Sequence, residues 1–132
     1  MLYITPAQLN AFGDSRRRTL KAQLSAHLAE QHPSLLDKLS PEAVGSRLDH
    51  VVEAGEQHGL ISVRAFAYLA ALMFRFGPGV PRCRLIEQAL AHGPTPDKAM
   101  ARLPGRLDNK AWRLVAKEAS AGRWPHEHER RA

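Results

Sequence analysis

The stretch GLISVRAFAYLAALMFRFG, from Gly59 to Gly77, constrains the fold of this chain more than any other. Ser62 is a good N-cap, because its hydroxyl can accept from free backbone N–H groups in the first turn of a helix. From Val63 to Phe76 only Arg64 and Arg75 are charged, one near each end. Ala65, Phe66, Leu69, Leu72, Met73 and Phe76 place bulk on more than one side. A helix that is apolar almost all round belongs inside a protein, and this one falls short of the roughly 20 residues that span a bilayer. The expected architecture is all-α: a single compact domain of five to six helices around a buried central helix over 62–76.

The flanking segments punctuate clearly. Thr5-Pro6-Ala7-Gln8 combines a cap, a first-turn proline and a capping-box glutamine, so a helix is expected from Pro6 to Gln31, stopped by His32-Pro33. Leu9, Phe12, Leu20, Leu24 and Leu28 form its apolar stripe, and Gly13-Asp14 could kink it. Leu2–Ile4 is expected to pack on this helix as a short extension, and SLLDKL (34–39) to form a short helical turn. Ser40-Pro41-Glu42 starts the next helix, in which Val44, Leu48, Val51, Val52 and Gly55 face inward. Arg47, Asp49, Glu53, Glu56 and Gln57 are expected on its solvated face. Gly59-Leu60 has the form of a Schellman stop.

After the Gly77–Pro81 break, Arg82–His92 reads as a helix with Leu85, Ile86, Ala89 and Leu90 inward. Thr95-Pro96-Asp97 opens another, and Pro104-Gly105 reads as a turn. Asp108 caps a last helix in which Trp112, Val115, Ala116 and Ala119 face the core, closed by Gly122. The helical domain is expected over 1–122, with 123–132 a flexible tail unless Trp124 docks.

Charge adds a second constraint. The net charge is +6, and residues 78–132 hold eleven Lys/Arg against six Asp/Glu, so most of the excess lies in the last part of the chain. Such a balance admits an anionic partner. Arg16-Arg17-Arg18 cannot make one flat basic face, because successive helical residues point about 100° apart.

Catalytic chemistry has little to stand on. Cys83 is the sole cysteine; Arg82, Arg84 and a helix N-terminus could lower its pKa, but no base is local. His126 and His128 make an HxH without a third ligand, and His27, His32, His50, His58 and His92 read as structural or exposed. Asp49, Glu53 and Glu56 make an acidic surface rather than a constellation. P-loop, GxGxxG, HExxH and GxSxG motifs are missing. The expectation is no catalytic residue, no cofactor and no metal. The helix pair 41–58 and 62–76 imitates a helix-turn-helix, but a reading helix needs an outward polar face, and AFAYLAALMF has none.

Two passages, TPAQLNAFGDSRRRTLKAQLSAHLAEQHP and VVEAGEQHGLISVRAFAYLAALMFRFGPGV, resemble small bacterial proteins encoded beside type VI secretion effectors. In those proteins an alanine-rich helix, a glycine, an isoleucine and a Ser/Thr cap precede an apolar helix ending in Leu-Met-Phe and glycine. The matching positions are Gly59, Ile61, Ser62, Leu72, Met73, Phe74 and Gly77. The similarity covers residues 5–80, and 81–132 add nothing to it. Such proteins often carry an acid in the first turn of the central helix, where this chain has Val63, Arg64 and Ala65. The resemblance implies a cytoplasmic accessory protein that binds an effector or its carrier, as adaptor, chaperone or antitoxin-like immunity partner, without catalytic residues. MLYITPAQ lacks the pattern of a secretory signal, in keeping with a cytoplasmic location and no membrane partner.

The expected function is therefore non-enzymatic protein binding, with nucleic-acid association as the alternative and the oligomeric state open. The residues expected to meet the partner are the cations Arg16, Arg17, Arg82, Arg84, Arg102, Arg106, Lys110 and Arg113.

Overall fold

The computed structural model describes residues 6–120 and Trp124, with the side chains of 6–14, Arg106 and Ser120 outside the description. Six α-helices follow one another: α1 (Pro6–Gln31), α2 (Pro41–Gln57), α3 (Val63–Phe76), α4 (Arg84–Ala91), α5 (Pro96–Arg106) and α6 (Asn109–Ser120). Short 3₁₀ turns at Pro33–Leu35 and Val80–Arg82 join α1 to α2 and α3 to α4. Among the described residues there is no strand, and no helix is long and apolar enough to cross a membrane.

The helix starts follow side-chain capping. Ser40 accepts from Ala43 N–H, Ser62 from Ala65 N–H, Thr95 from Lys98 N–H and Asp108 from Ala111 N–H. Each satisfies a first-turn donor that has no partner inside its helix. α2 ends in a Schellman motif: Gly59 takes φ +78°, its N–H donates to Glu56 O, and Leu60 N–H donates to Gly55 O at 2.9 Å. Only a residue without Cβ enters that conformation cheaply.

α3 is the hub. It packs on α1, α2, α5, α6 and both 3₁₀ turns. Ala65, Phe66, Ala67, Leu69, Ala70, Met73 and Phe74 are all buried along it. Leu24 and Leu28 of α1, Leu48, Val51 and Val52 of α2, Ile86 of α4, Met100 and Leu103 of α5 and Val115 of α6 complete one continuous core. Close approach matters at Gly55, where a Cβ would run into the ring of Phe66, so α2 seats on α3 through a residue that has no side chain.

Several expectations need correction. α1 passes through Gly13-Asp14 as one helix. The Leu2–Ile4 extension, the Thr5 cap and the side chains of Leu9 and Phe12 lie outside the described residues. The short helical turn expected over 34–39 is present as a 3₁₀ turn at Pro33–Leu35, one residue earlier and shorter, followed by turns at 36–38. The helix expected over Arg82–His92 is two pieces, because Val80–Arg82 closes a 3₁₀ turn and Cys83 is extended before α4. Pro104-Gly105 does not turn the chain; both lie within the last turn of α5. Proline there removes one late hydrogen bond, while buried Leu103 holds the helix on the core and accepts from Leu107 N–H.

The far end of α3 is covered by the chain itself. Trp124 is buried, with its ring 5.7 Å from that of Phe74 and 5.9 Å from that of His50. Arg47, expected on the solvated face of α2, instead lays its guanidinium 4.8 Å from the Trp124 ring and 5.8 Å from that of Phe74. Trp112 stacks on Phe76 at 5.8 Å. Trp124 therefore belongs to the helical core, while Gly122 and the rest of the tail, with His126 and His128, lie outside the described residues.

Candidate functional site

The opposite end of α3 is built differently. Leu60, the residue after the Schellman glycine, turns into the core, whereas Ile61 points out and is 72% exposed. Val63, in the first turn of α3, is 42% exposed. Exposed apolar residues occur singly on most proteins. Two within three positions, at one corner, form a small patch. The third large exposed hydrophobic among the described residues, Leu114, is on α6.

The corner is held firmly. Asp97, in the first turn of α5, accepts from Ile61 N–H at 2.9 Å through Oδ1 and from Ser62 N–H at 2.8 Å through Oδ2. Ser62 in turn caps α3. One carboxylate thus pins both peptide groups around Ile61, between buried Leu60 and the capped helix. The isoleucine is displayed from a fixed backbone, which lowers the ordering cost of any contact it makes.

Two hollows meet at Val63. One, of about 910 Å³, lies between α1 and the corner, and its lining includes Arg16, Arg17, Leu20, Glu56, Ile61, Val63 and Phe66. The other, of about 600 Å³, is lined by His27, His32, Val63, Arg64 and Tyr68. The His27 and His32 rings stand 6.1 Å apart in it. A smaller hollow of about 430 Å³ opens between α1 and α2 around Leu36, Leu39, Val44 and Leu48.

The electrostatics of the corner lean one way. Arg17 pairs with Glu56 through two hydrogen bonds, at 2.9 and 3.2 Å. Among the described residues, Glu56 is the only carboxylate in the lining of the two hollows, against Arg16, Arg17 and Arg64. Arg16 and Arg64 are exposed, with no ion pair to either among the described residues. Lys21 bridges to Asp49 at 2.7 Å, tying α1 to α2 below the corner.

The cations expected at an interface are not brought together: seven of the eight have described side chains, and these are spread over α1, the α4–α6 side and α5. Arg16 and Arg17 stand at the corner, on a helix that packs on α2, α3 and the first 3₁₀ turn. Arg82 and Arg84 flank Cys83 beside α6, where Arg84 N–H donates to Glu118 at 3.4 Å. Lys110 and Arg113 are exposed on α6 and Arg102 on α5, and the side chain of Arg106 lies outside the described residues. α6 packs on α3, α4 and the second 3₁₀ turn. Ile61, Val63, Arg64 and Asp97 were missed by sequence reasoning. A signal existed for Ile61: it falls between the Schellman stop and the Ser62 cap, outside the apolar stripe of either helix.

Cys83 is closed off. It is 2% exposed, its thiol lies 3.4 Å from Gly79 O and 3.7 Å from Val115 O, and burial pushes its pKa from 9.0 up to about 11, assisted by Glu118 and Glu87. The flanking arginines do not prevail, because their charged ends sit in solvent while the sulfur is desolvated. His92 caps α4 instead, its Nδ1 2.6 Å from Gln88 O. No protein-family model, no curated protein and no solved structure shows significant similarity to this chain.

Proposed function

We propose that this protein is a non-enzymatic binding module that holds a partner protein through the corner between α2 and α3. The observation that carries the reading is Ile61: a large apolar side chain left in water on a backbone pinned from both sides. Folding alone gains nothing from displaying it, and apolar anchors of this kind dominate protein interfaces. The buried, protonated thiol of Cys83 speaks against nucleophilic chemistry at the only cysteine.

The resemblance of residues 5–80 to proteins encoded beside type VI secretion effectors narrows the proposal. On that ground the partner is a secreted effector or its carrier, and the role is that of adaptor, chaperone or immunity protein in the cytoplasm. Co-expression with each product of the same locus tests this. A complex that survives gel filtration at micromolar concentration is the expected result, and it should be lost in Ile61→Asp. Failure to find a complex with any of those products would end the reading. Deleting the gene then separates the roles: intoxication by sister cells marks immunity, and lost secretion with no toxicity marks an adaptor.

A further inference from the structure

We infer that the partner segment docking at the α2–α3 corner is acidic and apolar together: a stretch that seats hydrophobic side chains against Ile61 and Val63 while its carboxylates meet Arg16 and Arg64. The inference rests on the protein-binding reading above and specifies the chemistry of the ligand.

Shape comes first. Val63 lines two hollows, one of about 910 Å³ and one of about 600 Å³, and Ile61 lines the first, so exposed Val63 forms a ridge that the two share. A segment crossing the ridge can bury an apolar side chain in each hollow, against Leu20 and Phe66 on one side and Ala67 and Tyr68 on the other. Charge comes second. Among the described residues the lining of both hollows holds three arginines and one carboxylate, and that carboxylate is already engaged by Arg17. Arg16 lines the first hollow and Arg64 the second, so each hollow that meets at Val63 carries an exposed cation. Potentials of one sign around an apolar centre select partners of the other sign and speed their encounter.

The same observations disfavour other occupants. A second copy of this chain would have to set the arginines of one corner against those of another in a two-fold contact. A lipid surface suits a protruding apolar edge, whereas much of the apolar surface here lines hollows. Nucleic acid would leave Ile61 and Val63 without an apolar counterpart at its phosphates.

The test uses the full chain, immobilised through its N-terminus and panned with a random-peptide display library. Enriched peptides are then synthesised and titrated against wild type, Ile61→Ser, Val63→Ser, Arg16→Gln and Arg64→Gln. Phosphatidylcholine vesicles with and without phosphatidylserine, and a single-stranded DNA, serve as the competing probes. The expected peptides place Asp or Glu beside paired apolar residues, and Ile61→Ser weakens them about tenfold or more. Each Arg→Gln change weakens them about threefold, and that loss shrinks at high salt. All four variants keep wild-type circular dichroism and melting, so lost binding is not lost folding. Peptides that depend on Ile61 but carry no acidic residues would overturn the inference and leave the protein-binding reading standing. Peptides indifferent to all four substitutions, or Ile61-dependent binding to vesicles or DNA in place of peptides, would overturn it as well. The functional reading stands or falls separately, on the complex with a product of the locus.

Discussion

The two ends of α3 are made from similar materials and finished in opposite ways. At the C-terminal end, Phe74 and Phe76 meet Trp124 and Trp112, and Arg47 lies over the Trp124 and Phe74 rings. The chain supplies its own cover there, and the arginine closes it. At the N-terminal end, Ile61 and Val63 have arginines beside them and, among the described residues, no aromatic lid. What stands in its place is Asp97, which fixes the backbone and leaves the side chains outside. An apolar surface that a protein covers contributes to stability. One that it holds rigid and leaves open is available to something else.

The contrast can be broken in the middle first. Leu69 is 1% exposed at the centre of α3, and Leu69→Asp would bury a charge without a partner. Loss of the folded state is expected, more than about 4 kcal/mol, seen as collapse of helical circular dichroism. A soluble variant with wild-type helicity would mean that α3 is not the hub. Leu72, which has the same look in sequence, is only half-buried and is the weaker probe.

Next is the covered end. Trp124→Ala removes the ring shared by Phe74, His50 and Arg47, and should cost about 3 kcal/mol in urea denaturation. An unchanged midpoint would show that the C-terminal end of α3 is open too, and the difference between the ends would vanish.

Smaller effects sharpen the comparison. In Gly55→Ala the new methyl meets the Phe66 ring, and about 1–3 kcal/mol should be lost by overpacking. Cys83 offers a pH reading of burial between α4 and α6. Its folded pKa of about 11 exceeds the ordinary 9.0, so above pH 9 the unfolded chain sheds a proton that the folded one keeps. Stability should therefore fall, relative to Cys83→Ala, as pH rises from about 9 to about 11, and be unaffected by this thiol below. Equal pH dependence of the two proteins would place the thiol in solvent.

Local chemistry made most of the fold legible. Ser40, Ser62, Thr95 and Asp108 cap where a short polar side chain precedes an apolar run, and Gly59-Leu60 closes α2 as expected. These signals act within a few residues, so a sequence displays them. Pro104 was misread because a proline near a helix end resembles a break, and the burial of Leu103 overrides it. Arg47 was misread because its partner, Trp124, arrives from the far end of the chain. The candidate site was legible only in fragments. Arg16 and Arg17 were picked for their charge, yet nothing local places them beside Ile61, and nothing local says that Asp97 reaches back to residues 61 and 62. Those relations come from how α1 and α5 pack on α3.

The difference between the covered and the open side of the chain is sharpest at two adjacent residues, Leu60 and Ile61. Leu60 is 5% exposed and Ile61 72%. Urea denaturation of Leu60→Ser and Ile61→Ser, side by side, tests the open corner most directly. Leu60→Ser should lose about 2–4 kcal/mol, as a buried apolar side chain replaced by a polar one does. Ile61→Ser should stay within about 0.5 kcal/mol of wild type. A loss in Ile61→Ser as large as that in Leu60→Ser would mean that the chain covers Ile61 itself, and the corner would no longer be a surface kept for a partner.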